Sequence, residues 1–436
     1  MTTKLSDLTP LEPWIARKIG VSRLTREALA DYQLARLQET LAWVRERSRF
    51  YREHLAAAPS HLETLDDWAM WPFTTATDIQ DDALRFVCVS QSDIARVVTL
   101  DTSGTTGAPK RLYFTAADQE LTVDFFQAGM STFTVPGDRV LILLPCARPG
   151  SVGDLLAQAV VRIGAEGIRH GPVQDVRATL NLLARERVTG LVGTPVQVLA
   201  LARFPEQPQY LMLRFALLTT DHVSQALAAA VEAAWGCTVY NHYGMTEMGL
   251  GGGVDCVARR GYHLREADLY FEIVDPNTGQ PLPDGDEGEI VFTTLTRQGM
   301  PLVRYRTGDL GRFVPAPCPC GTLLKTLTHI THRRDNVVQL PTGDTLALAG
   351  LDEVLFALEG VVDFTAVYEP GVLTLTLATY RSGTIVPEAQ AALLASPVIA
   401  RAVGGGALRL EVNVTPAGVP SPAKRTFLAA NCAPRH

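Results

Sequence analysis

Short apolar runs alternate with stretches whose apolar residues recur every three or four positions, most regularly between residue 94 and about residue 250. The run 94–100, rich in Val, Ile and Thr, reads as a strand. Thr115 stands three residues before Asp118 and caps a helix expected to run to about Met130. Residues 139–144 read as a short strand and 155–162 as a helix. Asp175 caps a helix with Val176, Leu180, Leu183, Ala184 and Val188 on one face, and Leu191 and Val192 open the next strand. Asp221 is expected to cap another helix, with Val223, Leu227, Val231 and Trp235 on one side and Gly236 ending it. Thr238 to Asn241 is again a strand. This alternation predicts α/β layers around a largely parallel sheet, where ligands sit outside the carboxyl ends of the strands.

The flanks differ. Residues 1–93 read as helical and irregular, with Ala30, Leu34, Leu37, Leu41 and Val44 forming an apolar stripe. The segment Trp71-Pro72-Phe73-Thr74-Thr75 breaks that pattern before a short polar helix near Asp78. Strands at 269–274 and 289–294 form a hairpin-like β region. After Asp335 the order is two short strands (337–340, 345–348), a helix (351–359), strands (363–369, 372–380), a helix (387–395) and a strand (408–414). The predicted fold class is therefore α/β, in two parts. A large N-terminal domain (1–333, with lead-in 1–93) holds mostly parallel sheet plus the β region, and a small α+β domain spans 334–436.

Composition narrows the function. A chain of 436 residues, 47% apolar and 19% charged, suits a soluble globular protein with more than one core. No apolar run approaches the roughly 18 residues of a membrane span, and no apolar run follows Lys4 as in a secretory signal. Net charge is −7 and the basic residues are scattered, His332-Arg333-Arg334 being the densest group, which argues against nucleic-acid binding. Seven cysteines are too sparse for a disulfide scaffold, and their odd number favours a reducing, cytoplasmic setting.

The least ordinary stretch is 101–110, Asp-Thr-Ser-Gly-Thr-Thr-Gly-Ala-Pro-Lys. Gly104 and Gly107 allow a ligand close to the backbone. Thr102, Ser103, Thr105 and Thr106 offer hydroxyl donors, and Lys110 offers charge. Successive N–H groups in such a loop make a concavity for phosphate oxygens. The glycine spacing differs from the Gly-x-x-x-x-Gly-Lys-Ser/Thr loop of nucleotide hydrolases. A second candidate follows a strand directly: Tyr243-Gly244-Met245-Thr246-Glu247 offers a hydroxyl and a hard oxygen ligand for Mg2+. A third, Tyr305-Arg306-Thr307-Gly308-Asp309, offers a carboxylate that can accept from both ribose hydroxyls.

Together these stretches closely resemble the signatures of the adenylate-forming superfamily of acyl-CoA synthetases and adenylation domains, most nearly its phenylacetate–CoA ligase group. The resemblance covers nearly the whole chain, including a Tyr-Arg near Tyr51-Arg52 and a Pro-Phe-Thr-Thr at 72–75. It implies that the 102–110 loop embraces the ATP phosphates, Tyr243 packs near adenine, Glu247 coordinates Mg2+ and Asp309 holds the ribose. Many members of the group carry Arg where Gly308 stands. His332-Arg333-Arg334-Asp335-Asn336 resembles the hinge Gly-Arg-x-Asp-Asp, with Arg333 at ribose or phosphate and Asp335 as the pivot of a mobile C-terminal domain. Its leading glycine and second acid are replaced, and the Arg-Gly that usually follows has no clear equivalent near Gln339–Gly343. The tail Ser421-Pro422-Ala423-Lys424-Arg425 resembles Gly-Lys-x-x-Arg. If Arg425 takes the motif's arginine, its lysine column falls on Pro422, so Lys424 is either the catalytic lysine or a solvated tail residue.

Cys318-Pro319-Cys320 is a thiolate pair at x1 spacing, with Cys256 and His263 upstream; four such ligands could close a tetrahedral Zn2+ site. Members of the phenylacetate group often carry cysteines and a histidine in these places, which implies a structural zinc. His242, beside the expected active site, reads as a packing or acyl-pocket residue or as an acid or base. The resemblance places the acyl pocket at the helix after 121, Arg148–Asp154, Gly193-Thr194-Pro195 and residues near 219–222, where Thr219-Thr220-Asp221 replaces Gly-Ala-Glu. Phe125, Phe126, Phe133 and Tyr240 could line it.

The expected activity is ATP- and Mg2+-dependent activation of a carboxylic acid, aromatic by family, to acyl-AMP, then thioester formation with coenzyme A. Lys110, Thr246, Glu247 and Lys424 would do the catalytic work. Two alternatives stay open: delivery to an acyl carrier protein or an amine, motivated by the altered 332–343 segment, and a nucleotide-binding regulator without turnover, motivated by the displaced lysine. No nucleic-acid or membrane partner is expected, and a homodimer is compatible with the reading.

Overall fold

A computed structural model describes residues 7–100, 109–333, 336–381 and 385–428. They gather into two compact units: one of residues up to Pro136, 148–165 and 242–329, the other of residues 137–147, 166–241 and 330 onward.

In the first unit the helix Arg26–Arg47 starts at Thr25, whose hydroxyl accepts from Ala28 N. Its buried face is Leu29, Gln33, Leu37, Thr40, Leu41 and Val44, so the expected stripe is rotated; Ala30 and Leu34 are only half-buried. Polar residues join that face because they are satisfied there: Gln33 donates to Glu266 O (3.0 Å) and Thr40 to Thr294 O (3.3 Å). The lead-in also grips the strand that carries Asp309. Tyr51 Oη accepts from Val303 N at 2.8 Å and lies 3.0 Å from Thr74 Oγ1, while Thr74 N donates to Arg304 O (3.1 Å). The buried Arg304 pairs with Glu272 at 2.8 Å and donates to Trp71 O. The motif at 51 and 72–75 thus fixes residues 303–306.

Strands Ile94–Leu100 and Lys110–Thr115 pair antiparallel, Leu100 opposite Lys110, and the helix Ala116–Met130 follows through a reciprocal Thr115–Asp118 capping box. Leu269–Val274, Gly288–Thr294 and Tyr305–Gly311 form an antiparallel sheet in the expected β region. Another antiparallel set joins His242 and Tyr243 to Gly253–Asp255, then Tyr262–Leu264 and Thr326–Leu327.

The second unit contains the predicted parallel sheet, in the order Glu166–Arg169, Arg139–Ile142, Gly190–Gly193, Phe215–Leu218 and Thr238–Asn241 of the strand Thr238–Tyr243. Asp175 caps the helix Val176–Arg185 as expected, accepting from Ala178 N at 2.8 Å. Asp221 does not cap the next one. The helix Gln225–Trp235 begins after Ser224, whose hydroxyl accepts from Leu227 N (3.1 Å), and the Asp221 carboxylate is engaged by Arg425 instead. Gly236 ends the helix in the left-handed region, as read from the sequence.

The C-terminal module of this unit has a hairpin of Val337–Gln339 with Thr345–Ala347, then the helix Leu348–Phe356. Val361–Glu369 pairs antiparallel with Val372–Thr379, and Arg409–Pro416 joins in parallel. An unforeseen helix, Pro397–Gly404, precedes that last strand. One apolar core runs through the unit, joining Leu199, Leu201 and Val231 to Leu351, Leu355 and Phe364. Among the described residues, no helix is long and apolar enough to cross a membrane.

Candidate active site

Lys110 and parts of the two later signatures meet in the first unit. Along Tyr305–Gly311 every second residue is buried, so Tyr305, Thr307 and Asp309 share the inward face of a strand. Gly308 sits at φ +76°, a conformation glycine adopts without steric cost and the reason this position suits Gly here. Arg306 points the other way and pairs with Glu289. At the top of the inward face Asp309 accepts a hydrogen bond from Tyr243 Oη at 2.9 Å, and Tyr243 stacks on Tyr262 with 5.7 Å between ring centroids.

At the other end of that face the Tyr305 hydroxyl donates to Glu247 Oε1 at 3.2 Å, and Lys110 Nζ reaches the same Glu247 oxygen and Tyr305 Oη. Glu247 is 2% exposed and Lys110 14% at the side chain, so this is a buried ion pair. Burial pushes the Glu247 carboxyl upward; the Lys110 charge and hydrogen bond, helped by Tyr305, outweigh it and hold the group below the ordinary glutamate range. Glu247 sits in a tight turn, Thr246–Met248, with Thr246 half-buried beside it. Tyr305 is a functional residue that the motif alone does not single out; its place at the head of an alternating inward-facing run is the signal that identifies it.

Lys110, Glu247, Tyr243 and Asp309 are therefore brought together, directly or through Tyr305. Thr102, Ser103, Gly104, Thr105, Thr106 and Gly107 lie outside the described residues, as does Asp335. His242 is flanked by Phe125 and Phe126, with ring centroids at 6.3 and 6.0 Å. Burial pushes its imidazole down to about 4, so it is neutral near pH 7.

Cys256, His263, Cys318 and Cys320 are all buried, and their ligand atoms lie within 4.8 Å of one another. Cys256 Sγ is 3.6 Å from Cys318 Sγ, and Cys320 Sγ is 3.4 Å from His263 Nε2. Tetrahedral zinc geometry requires edges of about 3.8 Å for sulfur–sulfur and about 3.5 Å for sulfur–nitrogen, and these two contacts lie close to those values. His263 Nδ1 lies 3.3 Å from Lys325 O, the outer contact that leaves Nε2 for a metal.

In the second unit Arg333 is half-buried and Lys424 is exposed. Arg425 next to it makes a two-pronged contact with Asp352 at 2.7 and 2.9 Å and reaches Asp221 at 3.2 Å. His222 Nδ1 stands 2.9 Å from the same Asp352. Asn336 donates to Arg425 O and accepts from Phe427 N, both at 3.2 Å, so this side chain clamps the tail.

The model of the AMP-binding enzyme family matches residues 51–296. The phenylacetate–coenzyme A ligase of Thermus thermophilus is 32% identical over 358 residues, covering 78% of this chain and 76% of that protein. That of Escherichia coli is 27% identical over 325 residues, 72% of each. A crystal structure of 2-hydroxyisobutyryl-CoA ligase in the postadenylation state, with R3-HIB-AMP, superposes with a TM-score of 0.79 at 22% identity, covering 93% of this chain and 89% of that one. The fold is the two-domain α/β architecture, with a large mixed-sheet N-terminal domain and a smaller α+β C-terminal one. By signatures, geometry and these matches, the chain belongs to the AMP-binding enzyme family, the adenylate-forming superfamily that includes the phenylacetate–CoA ligases.

Proposed function

We propose that this chain is an AMP-forming acyl-CoA synthetase that activates a carboxylic acid, of the aromatic class, and passes it to coenzyme A. In the first step a carboxylate oxygen attacks the α-phosphorus of MgATP, forming acyl-AMP as pyrophosphate departs. In the second, the coenzyme A thiolate attacks the acyl carbon and AMP leaves with the bonding electron pair. The observation that carries this reading is the convergence of Lys110, Glu247, Tyr305, Tyr243 and Asp309 on one face of the first unit.

Each residue has a physical task. Asp309 accepts from the ribose hydroxyls, and Tyr243 orients that carboxylate while facing adenine. Glu247 supplies the carboxylate for the magnesium of MgATP, a hard ion that takes one or two carboxylates together with phosphate oxygens. Lys110, held beside Glu247, then faces the triphosphate with the 102–107 loop, and Thr246 donates to a phosphate oxygen. Most of the rate enhancement would come from positioning and from fixed charge around phosphorus. Lys424 and Arg333 belong to the same proposal, Lys424 stabilising the departing pyrophosphate. Phe125 and Phe126, packed against neutral His242, support an aromatic acid. Cys256, His263, Cys318 and Cys320 would hold a zinc ion that braces the fold, since four protein ligands leave no position for substrate. The domain boundary at 333/334 and a cytoplasmic location complete the reading.

The test is a panel of carboxylic acids, aromatic ones included, assayed for pyrophosphate release and for product with coenzyme A, an acyl carrier protein or an amine. Acid-dependent pyrophosphate release with a thioester only when coenzyme A is present supports the proposal. Thioester on the carrier protein or an amide would move the second step to another acceptor. No acid-dependent exchange of pyrophosphate into ATP would leave a nucleotide-binding regulator.

A further inference from the structure

After the strand Arg409–Pro416 the chain is fastened on either side of a short exposed stretch. Pro420 is buried, and its carbonyl accepts from Gln197 Nε2 at 2.8 Å. Gln197 stands in the first turn of the helix Pro195–Ala202, directly after the strand Gly190–Gly193, and its Oε1 accepts from Val173 N at 3.1 Å. Ser421, Pro422, Ala423 and Lys424 are exposed, with Ala423 N donating to Ser421 Oγ at 3.2 Å. Arg425 then turns inward.

The contacts of Arg425 form a built anchor. Its guanidinium forks onto Asp352 at 2.7 and 2.9 Å, and its Nε and backbone N reach Asp221 at 3.2 and 3.3 Å. Two rings flank it, with centroids at 5.0 Å for Phe356 and 5.3 Å for Phe364. Asp352 is 1% exposed at the side chain, on the helix Leu348–Phe356. Beyond Arg425, Asn336 holds the backbone and Leu428 N donates to Ala366 O at 2.9 Å. A bidentate guanidinium–carboxylate pair fixes orientation as well as distance.

The two anchors share a location. Gln197 follows one strand of the parallel sheet, and Asp221 follows its neighbour Phe215–Leu218, both at the carboxyl ends. That is the side on which such sheets hold ligands. The exposed stretch carrying Lys424 therefore crosses the ligand side of the sheet, pinned before it by Gln197 and directly after it by Arg425. With the backbone fixed on both sides, only the Lys424 side chain remains to be ordered.

We infer that Arg425 is a positioning residue for the first half-reaction: its fork on Asp352 and its reach to Asp221 hold Lys424 where pyrophosphate departs. This rests on the role given to Lys424 in the proposed function. It also accounts for a lysine that stands directly beside the arginine of the tail instead of three residues before it. Lys424 is assigned to pyrophosphate alone, so transfer of the acyl group to coenzyme A does not depend on the anchor.

The experiment measures the two half-reactions separately in the full chain, with the acid of the panel that exchanges fastest. One is acid-dependent exchange of pyrophosphate into ATP; the other is thioester formation from the synthetic acyl-AMP and coenzyme A. Arg425→Gln and Asp352→Asn should each lower exchange turnover about 10- to 100-fold at unchanged KM for ATP and acid, the cost of a misplaced catalytic group. Thioester formation should stay within about twofold. Lys424→Ala should slow exchange as much, and adding Arg425→Gln to it should cost nothing further, because the two act as one unit. Equal losses in both half-reactions, or losses that multiply in the double variant, overturn the inference. If Lys424→Ala is slow while both anchor variants exchange normally, the inference falls and the role of Lys424 stands. If Lys424→Ala exchanges at the original rate, both fall. Should Arg425→Gln fail to fold, Asp352→Asn with and without Lys424→Ala decides alone.

Discussion

Tyr243 and Asp309, 66 residues apart in the chain, share a buried hydrogen bond of 2.9 Å that ties the end of one strand to the middle of another. The bond is directional: the phenol donates and the Asp309 carboxyl oxygen accepts. Asp309→Ala should therefore weaken ATP binding roughly 10- to 100-fold, the worth of one or two charge-assisted hydrogen bonds, with the circular dichroism spectrum unchanged. Tyr243→Phe keeps the acceptor and loses only its orientation, so the loss should be several-fold smaller. Titration calorimetry with ATP measures both, and an Asp309→Ala protein that binds ATP normally would place the nucleoside elsewhere.

Glu247 and Lys110 make a different demand, because the buried carboxylate has a largely covered ammonium as its ion-pair partner. Glu247→Gln strands the ammonium and should cost about 3–5 kcal/mol of stability, the usual result of removing one partner of a buried pair. Adding Lys110→Met should recover much of that loss while leaving activity abolished. The pH dependence follows from the lowered Glu247 carboxyl. Its stabilisation is complete above the ordinary glutamate range and is lost as pH falls through the depressed folded value. Urea midpoints taken from pH 7 downward should fall more gently in the doubly substituted protein than in the original; parallel curves would remove the pair from the stability argument.

Much of this site is legible in the sequence because its residues sit on short, regular elements. Period-2 burial turns Tyr305-Arg306-Thr307-Gly308-Asp309 into a face, and a strand exit presents Tyr243 and Glu247 together. Relations that depend on distant partners are hidden. Asp221 looks like a helix cap locally, yet its carboxylate meets Arg425, 204 residues later, while Ser224 does the capping. Gln33 and Thr40 break the apolar stripe of their helix because their acceptors, Glu266 O and Thr294 O, come from far along the chain.

The four-ligand cluster gives a prediction independent of catalysis. Cys318→Ser should lower bound zinc from about one ion per chain toward none, because metal affinity needs the deprotonated thiolate and a closed shell. Elemental analysis of purified protein reads this directly. The variant should also melt earlier, by an amount that a chelator reproduces in the original protein. Zinc-free original protein would make the cluster four buried, unmetallated side chains.

Asp363 offers a test within the second unit. Burial raises its carboxyl to about 6, although Arg425 opposes the shift. The unfolded carboxyl titrates near its ordinary value of about 3.9. Between those two values the folded chain keeps a proton that the unfolded chain has released, so this group lowers stability as pH rises from about 4 to about 6. Asp363→Asn cannot ionise and should lose that slope, becoming the more stable protein at pH 7 while matching the original near pH 4. Arg425→Met should act in the opposite sense: it removes the cation that restrains Asp363 and leaves Asp352 buried without its two-pronged partner. Urea midpoints at pH 4.5 and 7 for the three proteins decide the matter. An Asn variant with the original's pH profile would mean that Asp363 ionises normally and that the Arg425 cluster holds the tail without regard to pH.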